Sequence, residues 1–180
     1  TEPGRAQRLG TGLTGDGAYG AINYAAESPV RAGVLWTGSD DGLVGVTRDG
    51  GRTWHLASLP GVDDARVNAF EASPHDPAVA YVAATRFKLQ DNKPYLYKTT
   101  DYGATWTKIV AGIPADDFTR VIREDPGRKG LLVAGTETGV YVSLDDGDHW
   151  QSLRRNLPVV PVHDLMFKNG DVVAATHGRS

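Results

Sequence analysis

The chain contains no cysteine among its 180 residues and only one methionine. Disulfides and thiolate metal sites are therefore excluded, while the redox environment of the protein stays open. Stability must come from a buried apolar core, and a chain of this length can bury about 70% of its unfolded surface. The composition predicts a folded domain, either a whole one or a piece of a larger one.

The chain also lacks an excess of charge of one sign and any long apolar run. With 19 basic and 22 acidic side chains, the formal net charge is -3, so no overall field attracts nucleic acid or an anionic membrane surface. No apolar stretch approaches the roughly 18 to 20 residues of a membrane span, and the first residues lack the layout of a signal peptide. We expect no nucleic-acid partner and no membrane span. A mature secreted chain or an excised segment would share these features.

One eight-residue phrase occurs three times. The copies are 47–54 (TRDGGRTW), 99–106 (TTDYGATW) and 143–150 (SLDDGDHW), and all fit S/T-x-D-x-G-x-T-W except that His149 replaces the threonine. The spacing from Trp54 to Trp106 is 52 residues and that from Trp106 to Trp150 is 44. Spacings of this size are expected when one small sheet recurs as the blade of a β-propeller.

The phrase has a mechanical interpretation as a turn, and we call its three copies the lock turns. An ionised aspartate between two strands accepts hydrogen bonds from N–H groups of its own turn, and glycine reverses the chain at positive φ without steric cost. Tryptophan can seal the turn against a neighbouring sheet. The residues predicted to hold the lock turns are Asp49, Trp54, Asp101, Trp106, Asp145 and Trp150.

Short apolar runs separated by turn residues surround each lock turn and predict four strands per repeat. The predicted fold is all-β, a partial β-propeller of about three and a half four-stranded antiparallel blades with a lock turn between strands three and four. The predicted divisions are an irregular N-terminal segment 1–16, blade 1 at 17–60, blade 2 at 61–112, blade 3 at 113–157, and the first two strands of an incomplete blade 4 at 158–180.

An arc of three and a half blades cannot close, because propellers usually have four to eight blades. An open arc exposes sheet faces and strand edges, which favour aggregation unless another surface covers them. We therefore expect the remaining blades of a longer parent chain to pack against this segment. A second copy of the segment is the alternative partner.

Whole stretches of the chain resemble a known group of proteins. They include the three lock turns and the segments 35–42, 94–103, 134–143, 161–165 and 175–180. The lock turns resemble the Asp-box (BNR) repeat of sialidases, xyloglucanase-type glycoside hydrolases, sortilin (VPS10) domains and photosystem assembly propellers. The longer stretches are similar to the later propeller region of large secreted bacterial BNR-repeat glycosyl hydrolase or sortilin-like proteins. This resemblance covers nearly all of residues 17–180 and implies a secreted or periplasmic location, whereas it transfers the hydrolase activity only weakly.

The resemblance also implies that the loops between strands two and three and between blades share one face, opposite the lock turns. We call it the loop face. Polar loops on a rigid scaffold are the usual place for binding residues. The longest is predicted at 86–93, an insertion relative to the other copies. The predicted ligand-binding residues on this face are Asp40, Asp41, Arg66, Arg86, Lys88, Arg120, Glu137, His163, Asp164 and His177.

Several of these residues also have a structural interpretation. The run Asp40-Asp41-Gly42 is typical of tight hairpin turns. His163 and His177 are either a titrating pair near the mouth of the propeller's central channel, on the loop face, or ordinary hydrogen-bonding side chains. Asp64 and Asp117 are weak candidates for the acid and base of glycoside hydrolysis, and the competing expectation for both is solvated loop charge.

Other chemistry finds little support in the sequence. The lock turn at 143–150 lacks the ligand spacing of a calcium loop, so no metal and no cofactor is predicted. The arginine, tyrosine and glutamate set of a sialidase is not recognisable. The sequence favours a non-catalytic scaffold that binds a glycan, a peptide or another part of its parent protein. The alternatives are one lobe of a glycoside hydrolase propeller with catalytic residues outside this segment, and a fragment that closes a propeller from two copies.

Overall fold

A computed structural model describes residues 20–62, 64–153 and 158–177. Within them the predicted all-β fold is confirmed: three four-stranded antiparallel sheets and one two-stranded hairpin are joined in chain order. The predicted irregular segment 1–16 lies outside the described residues. No helix among the residues described is long and apolar enough to cross a membrane.

Each four-stranded sheet pairs its strands in sequence order. The first sheet contains β1 (Ile22–Glu27), β2 (Leu35–Ser39), β3 (Leu43–Thr47) and β4 (His55–Ser58). The second contains β5 (Arg66–Ala72), β6 (Ala80–Arg86), β7 (Asp91–Thr99) and β8 (Thr107–Lys108), with a 3-10 helix at Phe87–Leu89 between β6 and β7. The third contains β9 (Thr119–Glu124), β10 (Leu132–Thr136), β11 (Val140–Ser143) and β12 (Gln151–Ser152), and the hairpin contains β13 (Val162–Lys168) and β14 (Asp171–Thr176).

The first strand of each sheet lies on the inner side of the arc. Strand β1 contacts β5, β5 contacts β9, and β9 contacts β13, so the sheets stand side by side around an axis as in a propeller. Because the strands run antiparallel in sequence order, the turns after the first and third strands share one end of every sheet. We call it the lock end. The remaining connections lie at the opposite end, the loop face.

Two apolar clusters fill the spaces between sheets. One joins the first and second sheets and includes Trp36, Phe70 and Trp106; the other joins the second sheet, the third sheet and the hairpin. Strands β6 and β10 are buried on both faces because a sheet packs on either side, which explains their nearly continuous apolar sequences.

The sheets approach closely at one equivalent position of strand two. A Cβ atom on Gly38 would lie 2.4 Å from Val67 of the next sheet, and one on Gly135 would lie 2.7 Å from Val162 of the hairpin. Real Cβ atoms do not approach other atoms this closely, so each glycine permits the packing of its sheet on the following one.

The three lock turns have nearly identical hydrogen bonds. In the second, the Thr99 hydroxyl donates to Asp101 Oδ1 (2.8 Å), while Thr105 donates its backbone N–H to Oδ1 (2.9 Å) and its hydroxyl to Oδ2 (2.6 Å). Asp49 accepts the corresponding bonds at 2.7, 2.9 and 2.6 Å. Asp145 accepts two of them at 2.8 and 2.9 Å, and the His149 ring atom Nδ1 lies 2.8 Å from its Oδ2.

These bonds favour the ionised carboxylates. Hydrogen bonds from the backbone and ring of His149 lower the pKa of Asp145 to about 2. The pKa of Asp49 and the pKa of Asp101 are also lowered, chiefly by the hydroxyl of the threonine four residues later. The lock turns are thus held by charge-assisted hydrogen bonds within eight residues of chain.

The tryptophans that end the lock turns differ in their surroundings. Trp106 is 9% exposed and packs edge-on against Trp36 and Phe70, with ring centroids 6.4 and 6.0 Å away. Trp150 is buried, and its Nε1 donates to the carbonyl of Ile109, which directly follows β8 of the second sheet (2.9 Å). Trp54 is 41% exposed and donates to the Gly51 carbonyl of its own turn (3.1 Å).

Candidate functional site

Asp40 and Asp41 lie at the hairpin tip between β2 and β3. Asp40 Oδ1 accepts the backbone N–H groups of Gly20 and Ala21, both at 2.9 Å. The Ser39 hydroxyl donates to Asp41 Oδ1, which also accepts the Leu43 N–H at 3.3 Å. Both carboxylates therefore organise the chain around them, which favours the structural interpretation of this pair.

Asp64 and Asp117 have different surroundings. Asp64 is exposed, with φ 57°, just before the exposed Arg66 at the start of β5. Asp117 is only 2% exposed and accepts the hydroxyls of Thr136 (2.9 Å), Thr138 (2.6 Å) and Tyr141 (3.2 Å). The expectation of solvated loop charge is wrong for Asp117, because it stabilises the tight turn between β10 and β11.

The prediction of a long loop at 86–93 is wrong, because most of this segment belongs to two paired strands and a short helix. Strand β6 continues to Arg86 and β7 begins at Asp91, and these two residues pair in the sheet with an ion pair of 3.2 Å. Only one 3-10 turn, Phe87–Leu89, separates the strands, and Gln90 ends it in the left-handed conformation. The insertion thus extends the hairpin, and Phe87 and Lys88 are exposed at its tip on the loop face.

Aromatic and charged side chains meet beside this hairpin. The ring of Phe87 stacks on that of Phe118, with centroids 5.6 Å apart and an interplanar angle of 17°. The Arg120 guanidinium carbon lies 4.8 Å from the Phe118 ring centroid, and Arg120 Nε donates to Glu137 Oε2 at 2.9 Å. Phe118 is buried whereas Phe87 is 42% exposed, so the outer ring is held on an anchored inner one.

Two histidines of the β13–β14 hairpin segment lie at the same end of the sheets. The rings of His163 and His177 have centroids 4.8 Å apart. The pKa of His163 is lowered, first by desolvation and then by the positive charge of Arg120. We call the connected set the loop-face strip. Its members are Phe87, Phe118, Arg120, Glu137, His163 and His177.

Asp164 is directed elsewhere, to Arg123 of the neighbouring inner strand. Arg123 Nη2 donates to Asp164 Oδ1 at 2.8 Å, and its Nη1 lies 3.6 Å from Glu71 Oε2. These groups adjoin an open pocket of about 340 Å³ between the inner strands, which we call the channel pocket. Its walls come from β1, β5, β9 and β13 and the turns that follow the first three, so the pocket is at the lock end.

Glu71 has an unusual environment for a carboxyl group. Burial raises its pKa to about 7 against the opposing effect of Arg123, and the negative charges of Glu124 and Asp164 raise it further. A buried group with a perturbed pKa in a cleft is a functional-site candidate. The sequence prediction missed this pocket, although a signal was present: Glu27, Glu71 and Glu124 each stand shortly before a proline turn, in the segments 27–29, 71–74 and 124–126.

The described residues contain no evident metal site. Across 20–62, 64–153 and 158–177, no group of three or more His, Asp or Glu side chains is arranged to hold a metal ion. The two candidate sites are therefore the loop-face strip and the channel pocket.

The fold is that of a partial β-propeller. No family model matches the chain, and no curated protein matches it in sequence. Solved structures do share its fold. YCF48 bound to a D1 peptide is 22% identical, with a TM-score of 0.62 over 88% of this chain and 55% of its own. YCF48 from Cyanidioschyzon merolae is 21% identical, with a TM-score of 0.59 over 77% of this chain and 38% of its own.

An enzyme is also similar in fold. The GH74 xyloglucanase from Xanthomonas campestris is 20% identical, with a TM-score of 0.61 over 80% of this chain and 25% of its own. The chain therefore spans between a quarter and just over half of the length of these structures. At these identities the likeness establishes the fold alone.

Proposed function

We propose that this chain is part of a non-catalytic, extracytoplasmic propeller scaffold that binds a peptide segment of a partner protein across the loop-face strip. The observation that carries the proposal is the exposed Phe87 ring, held on buried Phe118 beside Arg120. Aromatic side chains and arginine are enriched at the centres of protein interfaces, and anchored rings lose little entropy on binding. The likeness to YCF48, which has been solved with a bound peptide, supports a peptide rather than a glycan.

A second part of the proposal concerns the remainder of the ring. Among the described residues, β14 pairs with β13 alone, and Met166, Val172 and Val173 are 37–50% exposed. We propose that further propeller sheets of a parent chain cover this hairpin, with a second copy as the alternative. Light scattering across a concentration series tests the alternative, since a mass of two copies would favour it over the parent chain.

The peptide proposal is tested with a phage library of random dodecapeptides selected on the immobilised chain, with xyloglucan oligosaccharides as the competing probe. We expect selected peptides to bind the chain and to lose about tenfold or more in affinity with Phe87→Ser or Arg120→Ala, as expected for interface anchors. The matched control is Leu144→Ser, which removes an apolar side chain that is 60% exposed at the lock end.

Two results would contradict this proposal. Selected peptides that bind Phe87→Ser, Arg120→Ala and the control equally would place binding away from the strip. Oligosaccharide binding without any peptide selection would replace the peptide with a glycan.

The glycosidase alternative is favoured by the likeness to the GH74 xyloglucanase. The hydrogen bonds of Asp117 support a structural role for that residue, which leaves Asp64 as the exposed candidate. Xyloglucan turnover by the wild-type chain that disappears in Asp64→Asn, at an unchanged melting temperature, would replace the scaffold proposal. We expect no turnover in either protein.

A further inference from the structure

The channel pocket carries more negative than positive charge. Glu27, Glu71 and Glu124 line it, whereas Arg123 is its single basic wall residue. The three glutamates come from the ends of three successive inner strands, so the propeller repeat itself brings them to one place. An excess of carboxylates in a concave site attracts and concentrates cations.

Arg123 offsets part of this charge, because its Nη1 lies 3.6 Å from Glu71 Oε2, but its hydrogen bonds are made to other groups. Its Nε donates to the Leu165 carbonyl (3.0 Å), its Nη1 to the Ile122 carbonyl (2.9 Å), and its Nη2 to Asp164 (2.8 Å). The guanidinium is thus fixed by contacts within β9 and with β13. An anionic ligand would have to displace these contacts, whereas a cationic ligand would leave them in place.

Glu71, by contrast, has hydrogen-bonding capacity left. The Glu71 side chain is 20% exposed, and among the described residues its carboxylate accepts one hydrogen bond, from the Glu124 N–H at 3.3 Å. Its distance of 3.6 Å from Arg123 is longer than a hydrogen bond. A shielded carboxylate so poorly satisfied is costly for a protein, unless a ligand supplies the missing donor.

Glu124 also lines the pocket, but its carboxylate is shielded from it. The residue is 2% exposed, and its Oε1 accepts the Gly130 N–H at 2.9 Å. Within the described part of the chain its Oε2 is buried without a hydrogen-bond partner, and the neighbouring Tyr81 hydroxyl donates to Asp146 instead (2.6 Å). A ligand in the pocket cannot reach an atom without accessible surface, so Glu71 is the carboxylate that is open to a ligand.

The remaining walls of the pocket are apolar or aromatic. They include Tyr24, Pro29, Pro74, Pro126, Met166 and Phe167. Walls of this kind suit the methylene stem of an amphipathic cation, and aromatic faces also attract an ammonium group. A divalent metal ion would instead need six or more oxygen ligands, and no group of three or more His, Asp or Glu side chains among the described residues is arranged to hold one.

We propose that the channel pocket binds the alkylammonium group of a lysine side chain presented by a peptide partner. The ammonium lies against the Glu71 carboxylate, and the stem lies along the aromatic and proline walls. This site is at the opposite end of the inner strands from the loop-face strip, so it does not depend on the peptide site proposed there.

Protonation of Glu71 couples this binding to pH. Its pKa of about 7 makes it partly neutral in the empty pocket at neutral pH. The groups that face it are Arg123 and Glu124 of β9 and Asp164 of β13, and Glu27 of β1 lines the same pocket. An entering ammonium favours the ionised form, so binding releases a proton and strengthens as the pH rises from 6 to 8.

The test uses the full chain and two probes, acetyl-Gly-Lys-Gly-amide and the same peptide with norleucine in place of lysine. Affinities are measured by NMR titration at pH 8 and pH 5.5. We expect the lysine probe to bind about tenfold or more tightly than the norleucine probe at pH 8, and to lose most of this preference at pH 5.5. The shifted resonances should include Glu71, Arg123 and Phe167.

Glu71→Gln should lower lysine affinity about tenfold at pH 8 and remove the pH dependence, because the amide stays neutral. The matched control Asp116→Asn, which removes one exposed carboxylate from the loop face, should bind as the wild-type chain does. Equal affinity of the two probes for the wild-type chain would overturn the proposal, whatever the variants do. So would lysine binding that shifts only loop-face resonances, or a pH dependence that persists in Glu71→Gln.

Discussion

The lock turns and the channel pocket are both built from carboxylates that recur once per sheet near the same end of the propeller, yet they differ in how the carboxylates are satisfied. Each lock aspartate accepts hydrogen bonds on both oxygens from its own eight residues. In the pocket, Glu71 accepts one long hydrogen bond and Glu124 leaves one oxygen unpaired among the described residues. The hydrogen bonds of Asp101 lower its pKa, whereas burial raises the pKa of Glu71.

The difference teaches how to separate structural from functional carboxylates in a repeat protein. Recurrence alone does not separate them, because both sets follow the repeat. Hydrogen-bond satisfaction does, since a satisfied carboxylate stabilises the fold and a poorly satisfied one costs free energy that a ligand can recover.

The largest expected effect on stability comes from the buried tryptophan at the end of a lock turn. Trp106→Ala removes a side chain packed against Trp36 and Phe70 of the first interface, and should lower the free energy of unfolding by about 3 to 5 kcal/mol. Trp54→Ala is the matched variant and should cost about 1 kcal/mol or less, because Trp54 is 41% exposed. Urea denaturation measures both. Equal losses would show that the lock turn, and not the neighbouring sheet, gives the tryptophan its stabilising effect.

The next effect concerns a lock carboxylate itself. Asp101→Ala leaves the N–H and hydroxyl of Thr105 and the hydroxyl of Thr99 without their acceptor, and should lower the free energy of unfolding by about 1 to 3 kcal/mol at pH 7. Because the pKa of Asp101 is lowered on folding, this contribution is present above the unfolded value near 3.8 and is lost as the pH falls below it. Wild type and variant should therefore converge in stability toward pH 2. A difference that persists there, in thermal unfolding across pH, would speak against an ionic lock.

Removing the charge of Glu71 in the channel pocket should stabilise the chain, whereas removing a lock carboxylate destabilises it. The folded-state pKa of Glu71 is raised to about 7 from 4.5, so ionisation destabilises the ligand-free chain as the pH rises through that interval. Glu71→Gln should raise the free energy of unfolding by about 1 to 2 kcal/mol at pH 8 and have little effect at pH 4. Thermal unfolding at both pH values measures it. Destabilisation by Glu71→Gln at pH 8 would mean that this carboxylate is structural, as in the lock turns.

The smallest effect compares the lock turns with one another. His149→Thr gives the third lock turn the threonine of the other two, whose hydroxyl donates to the aspartate at 2.6 Å. The ring it replaces already contacts Asp145 at 2.8 Å in an exposed position, so the change in stability should stay within about 0.5 kcal/mol at pH 7. A larger change in a chemical denaturation curve would show that the ring has a further contact worth identifying.

Sequence reasoning was most successful where the interacting atoms are close along the chain. The all-β arc and the strand order follow from turn residues and short apolar runs, and the bonds around Asp101 lie within seven residues. It failed at Asp117, whose three hydroxyl donors are 19 to 24 residues away. It also read 86–93 as a loop, because a pairing such as Arg86 with Asp91 leaves no periodic signal in so short a segment.

The channel pocket shows what kind of information was missing. Glu71 and Arg123 belong to different sheets and meet only because β5 and β9 are neighbours around the axis. The glutamate before each proline turn was visible in the sequence, but its exposure and charge balance were not.

By itself, the sequence determined the repeat, the conformation of the lock turns and the class of fold, because short-range hydrogen bonds and turn geometry need only a few consecutive residues. Tertiary structure alone decided which tryptophan is buried, why Glu71 holds its proton near neutral pH, and which aromatic and charged groups form the loop-face strip. The physical reason is that burial and electrostatic environment depend on neighbours from other sheets, and only the packing of the sheets brings those neighbours within reach.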